Sequence, residues 1–338
     1  KPLYTTEEAL EAVQYFETVD YDQWFRIDED IEFCYTDAGH IIGSASVHLR
    51  IKENGKTTTL TFSGDVGRYR DIILKSPATF PQADYIILES TYGNSLHDEH
   101  SPSVDVLEDW ITKTCLKKKG KLIIPAFSVG RTQELLYSLN QLELENRLPD
   151  LEYFVDSPLS TKATQIVKRF PQYFNKRIQK VLMGDSDPFN FKGLKFIKSV
   201  EESKLLNYKN GPCVIISASG MAEAGRVKHH ISNNIENSRN TILFTGYCEP
   251  NSLGARLMHR PGEVTIFGQI HQVNAEIAEM RSMSAHGDYD DLSQYLSCQD
   301  PRSVKKMFIV HGEYPVQVDF KQRLIRKGFL DVEIPERH

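Results

Sequence analysis

Four times between about Ser101 and Gly262 the chain repeats one unit: a short apolar run, a turn of small and hydroxyl residues, then a helical pattern. The units are "KLIIPAFSVGRTQELLYSLNQL", "EYFVDSPLSTKATQIVKRF", "CVIISASGMAEAGRVKHHI" and "TILFTGYCEPNSLGARLM". Strands that alternate with helices in this way close into a parallel sheet with helices packed against it. The flanks follow another rhythm. Upstream, Thr5 or Thr6 can cap a helix beginning at Glu7. "IEFCYTDAG", "SASVHLRI" and "KTTTLTFSGD" read as short strands, the last two joined by a hairpin turn at Asn54-Gly55. "ADYIILEST" is a buried strand, apolar until it ends in Glu89. Downstream of Gly262, "EVTIFGQI" and "KKMFIVHGE" return to short strands, with "DDLSQYL" helical between them. The order is β-rich, then α/β, then β-rich. It predicts an α/β module inserted into a β-rich host, with boundaries at residues 1–98, 99–262 and 263–338.

The totals narrow the class of function. A chain of 338 residues accommodates two domains or one domain with a large insertion. Its net charge of -6 supplies no global positive field, so a nucleic-acid site has to be a local groove. The five cysteines are widely spaced and contain no C-x-x-C pair, which argues against a cysteine zinc site or a disulfide framework and fits a reducing cytoplasm. No apolar run is long enough to span a bilayer, so no membrane partner is expected.

Five residues stand at strand ends or in turns beside glycine or alanine: His40, Asp65, Glu89, His286 and His311. Side chains at strand ends converge on one edge of a sheet, and a mixed histidine and carboxylate set suits zinc without cysteine. Each also has a plainer reading, as a turn former or a hydrogen-bonded structural histidine. Glu89 is harder to dismiss, because a carboxylate at the end of an apolar strand costs several kcal/mol unless it is paired. In the module, every strand ends in small or hydroxyl residues before its helix: Ser128 to Gly130, Ser157 with Ser160 and Thr161, Ser217 to Gly220, and Thr245 with Gly246. Arg131, Lys162 and Arg226 lie nearby. Singly these are helix caps; four of them along one sheet point to a phosphate-lined edge.

Taken together the segments resemble the β-CASP nucleases of the metallo-β-lactamase superfamily, the group that contains the pre-mRNA 3′-end cleavage endonuclease. "DAGHIIGSAS" and "FSGDVGR" resemble two metal motifs of that family, and "LESTYGN", "MSAHGD" and "VHGE" its motifs A, B and C. "PAFSVGRTQELL", "DSPLS", "SASGMAEAGR" and "GYCEPNSLGARL" resemble the inserted domain. The resemblance implies an α/β fold: part of a metallo-β-lactamase αββα sandwich carrying a parallel-sheet β-CASP insertion. It implies that His40, Asp65 and His311 ligate a dinuclear zinc (Zn2+) centre, with Asp65 bridging. Glu89 would orient the machinery and His286 would contact the scissile phosphate. Asp288 and Glu313 would hold the histidine tautomers. Ser128, Arg131, Ser157, Ser219, Gly220, Arg226 and Gly246 would line the path of the RNA backbone.

The implied activity is zinc-dependent hydrolysis of single-stranded RNA, and histidine at motif C favours RNA over DNA. Relatives point to a homodimer. The family signature H-x-H-x-D-H is absent from these residues. The expectation is that the N-terminal portion bearing it is missing, leaving this chain little or no activity. The rival is a naturally shortened, metal-poor paralogue acting as an RNA-binding subunit. A third reading is another hydrolase of the same fold.

Overall fold

The computed structural model describes residues 3–97, 103–280 and 283–336. The first sheet has seven strands: β1 (Trp24–Arg26), β2 (Ile31–Asp37), β3 (Ala45–Glu53), β4 (Lys56–Phe62), β5 (Tyr85–Glu89), β14 (Lys306–Val310) and β15 (Val332–Glu333), adjacent in that order. Pairing is antiparallel from β1 to β4 and parallel from β4 onward. Glu53 and Lys56 close the hairpin across Asn54-Gly55. Residues 306–310 therefore return to pair with a strand more than two hundred positions earlier, Val310 opposite Glu89. Ile86, Leu88, Met307 and Ile309 meet Leu292, Phe320 and Leu324 in a single core. Each such side chain stabilises the fold by roughly 1.5–3 kcal/mol relative to exposure. Its helices are α9 (Tyr289–Tyr295) and α10 (Tyr314–Arg326). A short helix, α1 (Thr6–Val13), precedes the sheet, capped by Thr5 and Glu8 reciprocally.

The second sheet is wholly parallel. Its strands are β6 (Lys121–Pro125), β7 (Tyr153–Asp156), β8 (Leu194–Phe196), β9 (Cys213–Ser217), β10 (Thr241–Phe244) and β13 (Glu276–Glu279), ordered β13-β10-β6-β9-β7-β8. The inner strands β6, β7, β9 and β10 are buried along their whole length, as continuous apolar runs in a doubly covered sheet require. Helices α2 (Ser103–Ile111), α3 (Arg131–Leu144), α4 (Pro158–Val167), α5 (Lys176–Val181), α6 (Val200–Tyr208), α7 (Arg226–Asn234) and α8 (Leu253–Met258) accompany it. Among the described residues no helix is long and apolar enough to cross a membrane.

The boundary expected between residues 98 and 99 lies outside the described residues. The one expected at residue 262 falls too early for the sheet. Residues 263–272, taken for host strands, form a separate hairpin of β11 (Glu263–Ile266) and β12 (Gln269–Gln272). Val264 and Ile266 bury against Val227 and Ile231 of α7. β13 then pairs in parallel with β10, so the second sheet ends at Glu279. Alternating polarity marks a strand with one buried face; it does not say which core receives that face.

Candidate metal and active site

His40 lies in the turn between β2 and β3. Ser44 Oγ accepts from the backbone amides of His40 and Ile41 at 3.1 and 3.3 Å, and Asp37 Oδ1 accepts from Gly39 N at 2.9 Å. Gly39 has φ of +68°, the left-handed region that suits glycine. A methyl group on Gly67 would come within 1.9 Å of the Gly39 carbonyl oxygen, so bare backbone is needed for the next turn to press against this one. Small residues here hold the histidine by backbone contact, leaving its ring free for other partners.

Asp65 follows β4, and its two oxygens face different histidines. Oδ2 is 3.9 Å from His40 Nε2, and Oδ1 is 3.6 Å from His311 Nδ1. His311, at the end of β14, has φ of 52°, a conformation that costs a residue with a side chain roughly 1–3 kcal/mol. Thr91 Oγ1 lies 3.1 Å from its Nδ1.

Glu89 is 1% exposed. It accepts from Val66 N at 2.5 Å, from Thr91 Oγ1 at 2.7 Å and from His286 Nδ1 at 3.1 Å. Burial pushes its carboxyl up, but His286, Thr91 and the Val66 amide together hold it below the usual carboxylate range. For His286 the balance has the opposite sign. Burial pulls its pKa down, while the bond and charge of Glu89 and the charge of Asp65 leave it raised. The two form a hydrogen-bonded pair, with Glu89 buried and His286 partly so. The pKa of His40 is driven the other way and lowered, first by burial and then by His286 at a ring separation of 4.4 Å.

His40, Asp65 and His286 thus place ligand atoms within 4.8 Å of one another, as do Glu89, His286 and His311. Imidazole and carboxylate donors in this proportion suit zinc. His40 Nδ1 is also buried without a hydrogen-bond partner among the described residues. Residue chemistry therefore suits a metal at this edge; both sets contain His286, and His40 and His311 are linked only through Asp65, which faces each of them. A third group, His97, Asp288 and Asp291, does not fit. Its carboxylates already accept from the amides of His97, Asp290, Asp291, Tyr69 and Asp288.

A cleft of about 510 Å³ runs from His40 and His286 along the carboxyl ends of β6, β9 and β10. Ser128, Arg131, Ser219, Gly220 and Gly246 line it. Ser157 does not; it caps α4 and meets Ser128 Oγ at 3.2 Å. Arg226 is turned away, bound to Asp156 at 2.6 Å and to the Lys198 carbonyl. Asp288 holds no histidine ring, since its oxygens serve the amides that start α9. The partner of His286 is Glu89 instead. Glu313 accepts from the hydroxyl of Tyr247, at 3.3 Å across the cleft. One contributor was missed in the sequence: His97 Nε2 donates to the His286 carbonyl at 2.8 Å, and its ring meets Tyr92 edge-on. Only a histidine eight residues past Glu89 hinted at it.

Residues 132–257 match the Beta-Casp domain, and residues 270–335 match the Zn-dependent metallo-hydrolase RNA specificity domain. A ribonuclease of Thermus thermophilus is 33% identical over 313 residues, which is 93% of this chain and 70% of that protein. The chain belongs to the β-CASP family of metallo-β-lactamase-fold nucleases. An RNase J-like protein of Methanocaldococcus jannaschii is 29% identical, covering 99% of this chain and 76% of that one. Transcription termination factor FttA of Methanosarcina mazei is 29% identical over 91% of this chain and 49% of its own length. In β-CASP terms the second sheet is the inserted domain, and the first is the metallo-β-lactamase-type host.

Proposed function

We propose that this β-CASP protein is a zinc-dependent ribonuclease that hydrolyses phosphodiester bonds of single-stranded RNA. The observation that carries the proposal is the Glu89–His286 pair beside His40, Asp65 and His311 at the head of the cleft. The relatives named as a ribonuclease and an RNase J-like protein support it, as does the match to an RNA specificity domain.

Zinc held by His40, Asp65 and His311 would supply Lewis-acid stabilisation of the charge that develops at phosphorus, and a nucleophile at neutral pH. The chain's own groups do the rest. Glu89 accepts from His286 Nδ1 and raises the pKa of the ring. Nε2 is then the free donor, and it delivers its proton to the oxygen that leaves phosphorus. His97 fixes the His286 backbone from behind. The five thiols, four of them buried and none in a disulfide, suit a reducing cytoplasm.

With no H-x-H-x-D-H sequence among its 338 residues, the chain offers three of the expected ligands. On that count it binds zinc weakly and cleaves RNA slowly. The test measures zinc content and cleavage of a short single-stranded RNA, for this chain and for a version extended by an H-x-H-x-D-H segment. Strong zinc binding and cleavage in the extended version, both lost in His40→Ala and His311→Ala, are expected. A metal-free, inert extended protein that still binds RNA would overturn the catalytic reading in favour of an RNA-binding subunit.

A further inference from the structure

The cleft wall leading away from His286 carries little charge. Among the described residues that line it, the side chains able to carry charge are His40, His286 and Arg131, and Arg131 is 7% exposed and paired with Glu134. The rest is mostly apolar, with Phe127, Val129, Leu159, Met221, Tyr92 and Tyr247 among its members. Phe127 and Tyr247 are each 43% exposed and Leu159 is 61% exposed. Large apolar side chains left open together in one concavity mark a ligand surface. A chain of net charge -6 adds no general attraction for phosphate.

Phe127 is also firmly placed. A methyl on Gly220 would meet Phe127 ring carbons at 2.7 and 2.8 Å, so one side of the ring rests on bare backbone while the remainder faces the cleft. Gly246 lies on the same wall, and a methyl there would meet nothing within 4 Å. The wall therefore offers an aromatic surface with open space beside it, continuous with the residues that would hold the scissile phosphate.

We propose that this wall, centred on Phe127 and Tyr247, is a nucleobase-stacking subsite that grips unpaired bases next to the scissile phosphate. It rests on the ribonuclease reading and names what that site recognises: the flat faces of bases, in any sequence, in a strand whose bases are free to unstack. Every base has such a face, so the subsite admits all four and rejects a paired duplex.

The experiment uses this chain and short single-stranded RNAs carrying 2-aminopurine, whose fluorescence falls when it stacks. One RNA is intact, and a second has an abasic residue in place of one base. Expected are quenching on binding, a loss of about 5- to 150-fold in affinity for the abasic strand or with Phe127→Ala, and little further loss when the two are combined. Gly246→Ile projects into the open space, where its Cβ meets nothing within 4 Å, and should weaken binding at unchanged melting temperature. That variant decides the matter if Phe127→Ala is poorly folded. Equal affinity for intact and abasic strands, with no quenching, would overturn the stacking subsite and leave the RNA reading standing. Failure to bind either strand would remove both.

Discussion

Position 48 holds a histidine with 2% of its surface exposed, on the inner face of β3. Its ring nitrogens meet Thr36 Oγ1 at 2.8 Å and Thr61 Oγ1 at 2.9 Å, and the ring stacks on Phe80. Burial pushes its pKa down from 6.5 to about 4. The fold thus favours the neutral ring. Its contribution is complete above pH 6.5 and drains away as the pH falls toward 4, by about 3 kcal/mol in all. In chemical denaturation across that range, His48→Gln should lose stability less steeply than the parent, by up to about 1.4 kcal/mol per pH unit. Parallel curves would show that His48 does not titrate with folding. Nothing in the sequence singled this histidine out, because alternation marks an inward position without showing what waits there. Glu89 was legible for the opposite reason: an acidic residue closing an apolar strand demands a partner. That partner, His286, is 197 positions away and became visible only once the segment between β13 and α9 was placed against the end of β5.

Between elements, the joint that holds the inserted sheet to two of its helices turns on Asp156, at the end of β7 and wholly buried. It accepts from Arg226 at 2.6 Å and His230 at 2.7 Å, both on α7, and from Ser203 on α6. Burial raises its pKa, yet His230, Ser203 and Arg226 together leave it lowered. Asp156→Ala strands the guanidinium and should cost about 3–5 kcal/mol at neutral pH. Because the folded pKa lies below 3.8, the gap between parent and variant should close as the pH falls through that folded value. A loss near 0.5 kcal/mol, as at an ordinary surface site, would show the joint to be redundant. The hydroxyl-rich loop and Arg226 suggested a phosphate contact from sequence. Three-dimensional packing gives the arginine a carboxylate of its own, away from the residues that line the cleft.

At the scale of the molecule, host and insertion are locked together by residues 71–75. Ile73, 3% exposed, enters the insertion's main core beside Leu107, Leu135 and Phe174. Asn175 N donates to the Ile73 carbonyl at 2.8 Å, and Lys75 N to that of Tyr173 at 3.1 Å. Ile73→Ala should cost about 2–5 kcal/mol and loosen the two bodies. The two tryptophans give a test: Trp24 lies in the host and Trp110 in α2 of the insertion. Single-tryptophan versions of the parent should unfold at one midpoint, and the Ile73→Ala versions at two. Coincident midpoints in the variant would show that other contacts carry the coupling. The rhythm of strand and helix revealed that there was an insertion; the apolar segment around Ile73 gave no sign of which core it would join. The same interlocking bears on His286. It sits on the segment that leads from β13 of the insertion back to α9 of the host, while its partner Glu89 belongs to the host sheet. During synthesis, His286 therefore emerges only after the whole of the insertion. A chain halted before that point would hold Glu89 without the histidine that offsets its burial.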